Sequence, residues 1–415
     1  MKIRRTEQPR NIFVLHPSDF LTDHESHGDG LTAFGFISEL AQRGYQLHVA
    51  AREYSLRSAL PPNVILYKVP VWIRVPLVDR LEYMIRARAL FKQLRRTKEF
   101  HLIHQMNPVF AGLSLALAGC RTPIVLGTIV PRWPNDPDSL AMRHPMAGKI
   151  LQTVKNLVVR LQQKCATALL LTSPAAVNRL PRPEAVMHKV RYLPHGIDTD
   201  LFFPAPAAPG PKPPKVLFLA NLQSRKGIFV LLEAFQKVAM AVPNSRLCIV
   251  GSGPQESVVA KYVGAMACRD RIELVGNVGR DRVADFLRDC SAYCLPSLGE
   301  PYGATVVEAM SCGLPVVATA AGGIPFLVPE DGGRLVPPGD PQALAEALIE
   351  VLTSPELQRS MGIVNRRHTI ANLSWKTAVD KLELAYRAAF SHFQIPLQSA
   401  REAIVAQSSA TRSGS

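Results

Sequence analysis

The sequence predicts an α/β protein made of two doubly wound parallel-sheet domains that face each other across a cleft. Three observations predict it. Short apolar runs of strand length alternate with amphipathic stretches of helix length through both halves. A proline-dense stretch, PAPAAPGPKPPK from Pro204 to Lys215, separates the halves, and such density supports neither a helix nor a central strand. The 415 residues suit two or three domains, at ~100–200 residues each.

In the first half, Asn11–Leu15 reads as a strand, followed by a polar loop over Pro17–Gly30. Leu31–Gln42 has helical spacing and is ended by Gly44; Gln46–Ala50 is the next strand. Strand-like runs recur at His101–His104, Pro123–Leu126 and Ala168–Leu171, with helices around Leu113–Leu117 and over Ile150–Gln163. The second half alternates more cleanly. Strands are expected at Lys215–Ala220, Arg246–Val250, Ile272–Val275, Ala292–Pro296 and Pro315–Ala318. Helices are expected at Phe229–Met240, Glu256–Met266, Arg282–Cys290 and Ala304–Cys312, and a further one at Ser374–Phe390. The domains implied are 1–203 and 216–373, joined by a linker over 204–215 and followed by a helix over 374–396 and a disordered tail over 397–415.

Composition narrows the function. Apolar residues make up 47% and charged residues 20% of the chain, which excludes wholesale disorder. No apolar run reaches the ~18–20 residues of a membrane span. The basic start has an apolar core of only Ile12–Leu15, a first strand rather than a leader peptide. The seven cysteines form no Cys-x-x-Cys pair and read as reduced thiols of a cytoplasmic protein.

The net charge of +15 is uneven. Residues 1–203 carry 27 Lys+Arg against 15 Asp+Glu, leaving the remainder with 21 against 18. The densest stretch, Arg74–Lys98, sets eight basic residues against Asp79 and Glu82. It reads either as a solvated helix face or as a contact for an anionic membrane surface, an acidic substrate or nucleic acid. Basic and apolar positions overlap around the helical wheel, which weakens a dedicated membrane helix. Missing aromatic-basic interleaving disfavours nucleic acid.

Three loops at strand ends carry the chemistry. Asn221-Leu-Gln-Ser-Arg225-Lys226-Gly227 sets two cations beside a helix start, which makes either an anion site or a capping turn with solvated charges. Gly251-Ser-Gly253-Pro lacks the third glycine of a dinucleotide fingerprint, Glu256 standing there instead, so tight-turn glycines explain it better. The third loop places Glu300 and Glu308 eight residues apart across a loop-to-helix junction. A wholly helical path would separate them by ~12 Å, beyond the ~5–9.5 Å of hydrolytic carboxylate pairs. Carboxylates so placed suit hydroxyls at opposite ends of a long polyhydroxylated ligand. The amides near Gly303–Thr305 open a helix and could hold a diphosphate between them.

Glu300-x7-Glu308 followed by AMSCGLPVVAT and GGIPFLV resembles the signature of family-4 retaining glycosyltransferases of the GT-B fold, which has two Rossmann-like domains. ANLQSRKG, CIVGSGP, VGNV and LPHGID are similar to other landmarks of that family, in order. The resemblance is strong from Leu193 to about Asp340 and architectural before that. It implies that Glu300 meets the hydroxyls of the donor sugar, that Glu308 binds the nucleotide ribose, and that Lys226 grips the diphosphate. It implies contacts to the base near Asn277 and Val278, and to the donor at Pro301, Tyr302, Gly303, Ala304 and Thr305. Asn221 stands where the family often has an arginine, with Arg225 a substitute phosphate ligand. Gly28 belongs to a loop, His27-Gly-Asp-Gly30, similar to the family's N-terminal glycine-rich loop. Many members carry a histidine after the strand matching Pro123–Leu126, where this chain has Gly127-Thr128-Ile129. His104 and Asn107 are acceptor-side candidates, and His16, His24 and His27 are site or plain loop residues.

The resemblance implies a metal-independent transfer from a UDP- or GDP-linked sugar, used as co-substrate with no other cofactor, to a glycan, lipid-linked or small-molecule acceptor held by the N-terminal domain. The Pro-rich connector and the Ser374–Phe390 segment, crossing back to the first domain, would be the hinge. The expected location is cytoplasmic, at or near the inner membrane face. Two rivals stand beside this: a catalytically silent scaffold subunit with the same fold, and an NAD-dependent enzyme, which the missing third glycine disfavours.

Overall fold

The computed structural model describes residues 10–391 except 17–19, 26, 74, 76–77, 108, 132–144 and 206–212, with the side chains of 145–151 also outside the description. Most of the Pro-rich connector and the whole tail over 397–415 therefore lie outside the described residues.

The first sheet contains β1 (Asn11–His16), β3 (Gln46–Ala51), β5 (Val64–Lys68), β6 (Leu102–Gln105), β7 (Ile124–Ile129), β8 (Ala168–Leu171) and β9 (Val190–Tyr192). Its order is β5-β3-β1-β6-β7-β8-β9, with all neighbours parallel. A small parallel pair, β2 (Leu21–Thr22) and β4 (Tyr54–Ser55), lies beside it. The second sheet contains β10 (Lys215–Leu219), β11 (Arg246–Val250), β12 (Ile272–Gly276), β13 (Ala292–Leu295), β14 (Val316–Thr319) and β15 (Gly333–Val336). Its order is β12-β11-β10-β13-β14-β15, again wholly parallel. In each sheet the first strand sits inside and the order reverses beside it, between β1 and β6 and between β10 and β13. Such a reversal leaves a crevice at the strands' carboxyl ends, where ligands of open α/β sheets bind.

Helices cover both sheets. They are α1 (Gly28–Gln42), α2 (Val78–Leu94), α3 (Pro145–Cys165), α4 (Ile228–Ala241), α5 (Glu256–Gly264), α6 (Arg280–Arg288), α7 (Ala304–Ser311), α8 (Pro341–Thr353), α9 (Pro355–Leu373) and α10 (375–391). α1 starts three residues before the apolar periodicity does, because the Nδ1 atom of His27 accepts from the Gly30 amide and caps the helix. The stretch expected as a helix around Leu113–Leu117 is one 3-10 turn instead. Glycines 112 and 119 bound it, both with positive φ, leaving too few residues for an α-helix.

α10 belongs to the first sheet, although the second domain precedes it. Its Ala378, Val379, Leu382, Ala385, Tyr386 and Ala389 share one buried cluster with Ile12, Val14, Phe36 and Leu47. Trp375 packs edge-on against Phe36, the ring centroids 5.1 Å apart. Its indole occupies the space where side chains at Gly35 and Gly196 would stand. Where the chain crosses between domains, Ile197 and Ser374 form a parallel bridge, with the Ile197 amide donating to the Leu373 carbonyl at 2.8 Å. The two crossings thus lie side by side.

Candidate active site

The loops after β10 and β13, adjacent strands at the reversal, are joined directly. The Leu298 amide donates to the Arg225 carbonyl at 2.8 Å. Gly227 has a φ of +71°, and a Cβ there would sit 1.9 Å from the Pro296 carbonyl oxygen. Only glycine permits that approach. The approach sets Lys226 opposite Glu300, with Nζ and Oε2 2.5 Å apart. The Ser297 hydroxyl donates to the same oxygen at 3.3 Å. Lys226 and Glu300 are mostly buried, their side chains 13% and 7% exposed, so this ion pair works at low dielectric. Behind it, Gly323 donates to the Glu300 carbonyl at 2.9 Å, and a Cβ at Gly322 would collide with that oxygen. The two glycines of GGIPFLV thus hold the backbone of Glu300.

Glu308 lies on α7, buried, and pairs with the Arg280 guanidinium at 3.0 Å. Burial pushes its pKa up, and Arg280 pulls it partway back. Arg280 is the first residue of α6 and also faces the Phe202 ring. Sequence reasoning missed Arg280; the available signal was its place directly after Asn277-Val278-Gly279. Asn277 is exposed and Val278 half-buried in that loop.

Gly303, at a φ of +98°, precedes α7. Amides of a first helical turn have no intrahelical acceptor and favour anions. Ala304 is exposed and Pro301 half-buried, while the Thr305 hydroxyl accepts from Tyr293 at 2.6 Å. The Tyr302 side chain is turned to the other domain: its hydroxyl donates to the His195 carbonyl at 2.8 Å. Asn221 is exposed at the end of β10, its Oδ1 close to Gly253. Arg225 donates from Nε to Gln223 Oε1 at 2.9 Å. Gly251 packs on Ala220 and Gly253 on Leu222, the close backbone approach expected of turn glycines.

At the first sheet's reversal, the residues are of another kind. His16 ends β1, fully buried, and burial pushes its pKa down to about 4. Asp29, on the first turn of α1 next to Gly28, accepts from Asn107 Nδ2 at 2.6 Å. Burial pushes its pKa up, while His27 and Asn107 pull it back. Gly28 is exposed, with open space around it. His104 is a core residue, with Nδ1 2.6 Å from the Tyr386 hydroxyl and Nε2 3.1 Å from the Gly127 carbonyl. His24 sits away on the β2 side, paired with Asp23. Thr128, where the resemblance led to a histidine, holds His195 Nε2 at 2.5 Å. An imidazole thus reaches that place from a distant part of the chain.

Two Rossmann-like domains meeting at their strand ends, with a buried charged pair at the second domain's reversal, define a GT-B protein. The description Glycosyltransferase Family 4 matches residues 30–201, and Glycosyl transferases group 1 matches residues 202–368. The chain belongs to the family-4 glycosyltransferases. It is 31% identical over 215 residues to the D-inositol 3-phosphate glycosyltransferase of Segniliparus rotundus, covering 48% of this chain and 47% of that one. It therefore spans about half the length of that relative. It is 29% identical over 338 residues to the phosphatidyl-myo-inositol mannosyltransferase of Mycolicibacterium smegmatis, 78% of this chain and 82% of that one. The fold is also that of Anabaena HepE in complex with UDP and glucose, with a TM-score of 0.65 at 17% identity over 91% of this chain and 98% of that one. No helix among the described residues is long and apolar enough to cross a membrane.

Proposed function

We propose that the chain transfers a sugar from a nucleotide diphosphate donor to a hydroxyl acceptor with retention at the anomeric carbon. The observation that carries the reading is the Lys226–Glu300 pair at the β10/β13 reversal. A cation there meets the diphosphate and a carboxylate meets the sugar hydroxyls, one beside the other. The bond from the anomeric carbon to the phosphate oxygen breaks, and a bond to the acceptor oxygen forms on the same face. The acceptor's proton passes to the departing phosphate oxygen. Negative charge grows on the diphosphate, and Lys226, Arg225 and the first-turn amides of α7 stabilise it. Since these groups supply the positive charge, the reading needs no metal. Glu308, oriented by Arg280, takes the ribose hydroxyls.

For the acceptor we propose a hydroxyl of an inositol-type or lipid-linked glycan, bound at the first sheet's reversal near Gly28, Asp29 and Asn107. The names of the two relatives above support this choice. Calorimetric titration with UDP and GDP, followed by mass-spectrometric product detection across UDP- and GDP-sugars with inositol phosphate and phosphatidylinositol, tests the reading. Nucleotide binding that survives Lys226→Ala and Glu308→Ala together would overturn it.

A further inference from the structure

The second domain has a hollow that the transfer reading leaves unused, and two glycines make it. Gly313 follows α7 with a φ of +71°, and Gly362 lies inside α9; a Cβ on Gly362 would sit 2.2 Å from the Gly313 carbonyl oxygen. Only glycine lets a helix backbone come so close to that turn. Beside this contact a cavity of about 630 Å³ opens, with Pro204 also in its lining. Gly313 precedes β14, so the hollow lies at the amino edge of the second sheet, whereas Lys226 follows β10 at the carboxyl edge. It is a separate place from the cleft.

Arg359, Ile363, Arg366, Arg367 and Ile370 of α9 line the hollow, at a spacing that puts all five on one face of the helix. Both isoleucines are exposed, Ile363 at 53% and Ile370 at 47%. Arg366 is anchored: it donates to the carbonyls of Phe202 at 2.8 Å and Ser311 at 3.0 Å. It thus holds the segment that enters the domain against the end of α7. Arg359 and Arg367 are exposed, and neither has a hydrogen-bond or ion-pair partner among the described residues. No acidic residue lines the hollow, and the only one on α9, Glu356, stands in its first turn. Concave surfaces lined by one sign of charge gather ions of the other.

We infer that this hollow binds a small molecule that carries a phosphate monoester on an apolar body. Guanidinium groups match phosphate oxygens with paired hydrogen bonds. A phosphate monoester carries about −1.5 to −2 charges at pH 7, which balances the two uncommitted arginines. Ile363, Ile370 and Pro204 take the apolar body out of water. The volume falls within the ~300–1,000 Å³ of ligand pockets. An acidic stretch of a partner protein fits less well, because the lining comes from three chain segments around a hollow and not from one flat helix face. The transferase reading uses none of these residues, so the two stand or fall separately.

The test is a methyl NMR titration of the full chain, labelled at isoleucine, with phenyl phosphate as the probe. Ile363→Val and Ile370→Val assign the two signals. Both should shift and saturate, while the core signals of Ile228 and Ile324 stay in place. Arg359→Ala with Arg367→Ala should weaken binding roughly tenfold or more, the scale of lost hydrogen bonds to charged groups, and its unchanged core signals would show that it folds. Inorganic phosphate and benzyl alcohol, each holding half of the probe's chemistry, should bind at least about tenfold more weakly. Binding should persist in Lys226→Ala, which removes a cation of the cleft. Absent saturation, equal shifts with either half-probe, full affinity in the arginine pair, or loss in Lys226→Ala would each overturn the inference. Shifts with hexaglutamate but not with phenyl phosphate would overturn it too, and give the hollow to an acidic protein segment.

Discussion

The two sheets share one strand order, yet their reversals are furnished differently. In the second domain the β10/β13 reversal holds charge: Lys226 on Glu300, with Arg280 on Glu308 nearby. In the first, the β1/β6 reversal holds the buried imidazole of His16, and Asp29 tied to Asn107. The domain with the larger net charge, +12 over residues 1–203, is therefore the one whose crevice holds no buried ion pair like Lys226–Glu300 among the described residues. Net charge describes the outer surface of a domain, here α2, whereas an anion site depends on a few groups held at short range. On the transferase reading proposed above, the second reversal is the half that takes the diphosphate and the first the half that takes hydroxyls.

The sharpest way to break this contrast is Lys226→Ala. We expect a loss of about 10³-fold in kcat/KM, the scale of removing one group aimed at developing charge, with donor affinity falling as well. Activity within a few-fold of the parent would erase the distinction between the reversals.

Acid separates the domains next. His16, His104 and His195 all belong to the first domain and are buried, with pKa values pushed down to about 4, 3 and 3. Below pH 6.5 the unfolded chain takes up a proton at each, while the folded chain does not. Stability is complete above 6.5 and falls with pH until the folded values are reached, by about 1.4 kcal/mol per unit and histidine. At pH 5.5 the three together cost about 4 kcal/mol. Residues 216–373 contain one histidine, His368. Amide exchange compared at pH 7.5 and 5.5 should show the first sheet opening while the second holds; equal opening of both would refute the assignment.

A smaller effect is expected at Arg280→Leu, which strands the buried Glu308 carboxylate. The loss should be about 2–3 kcal/mol, below that of a fully buried pair because Arg280 is partly exposed. Adding Glu308→Gln should restore most of the melting temperature but not nucleotide affinity. Smallest is Asp29→Asn with Asn107→Ala. Acceptor KM should rise about tenfold, the size of one or two lost hydrogen bonds, with UDP and GDP affinity unchanged by calorimetry. Weakened nucleotide binding in that pair would assign the first reversal to the donor.

The same contrast governs what could be read from the sequence. Central strands such as Phe218-Leu219 in β10 and Cys248-Ile249-Val250 in β11 are buried on both faces and show as unbroken apolar runs. β5 escaped because it is an edge strand with Ile65 and Lys68 exposed. Lys226, Glu300 and Glu308 could be nominated from the sequence since their spacing along the chain is itself the signal, and the structure brings Lys226 onto Glu300. Arg280 beside Glu308 and His195 beside Thr128 were not, because tertiary packing alone brings them together. Tyr302 carried the signature, yet its hydroxyl serves the His195 carbonyl, a use that no local pattern encodes.

The placement of α10 has a consequence for synthesis. Tyr386 closes over His104, and Trp375 wedges against Phe36, so the first-made half lacks part of its interior until the last-made helix arrives. That helix leaves the ribosome about 190 residues after Phe203, a delay of roughly 10–40 s at ~5–20 residues per second. During that interval the nascent sheet carries an open apolar trough, the moment in its life when a chaperone would find it most easily.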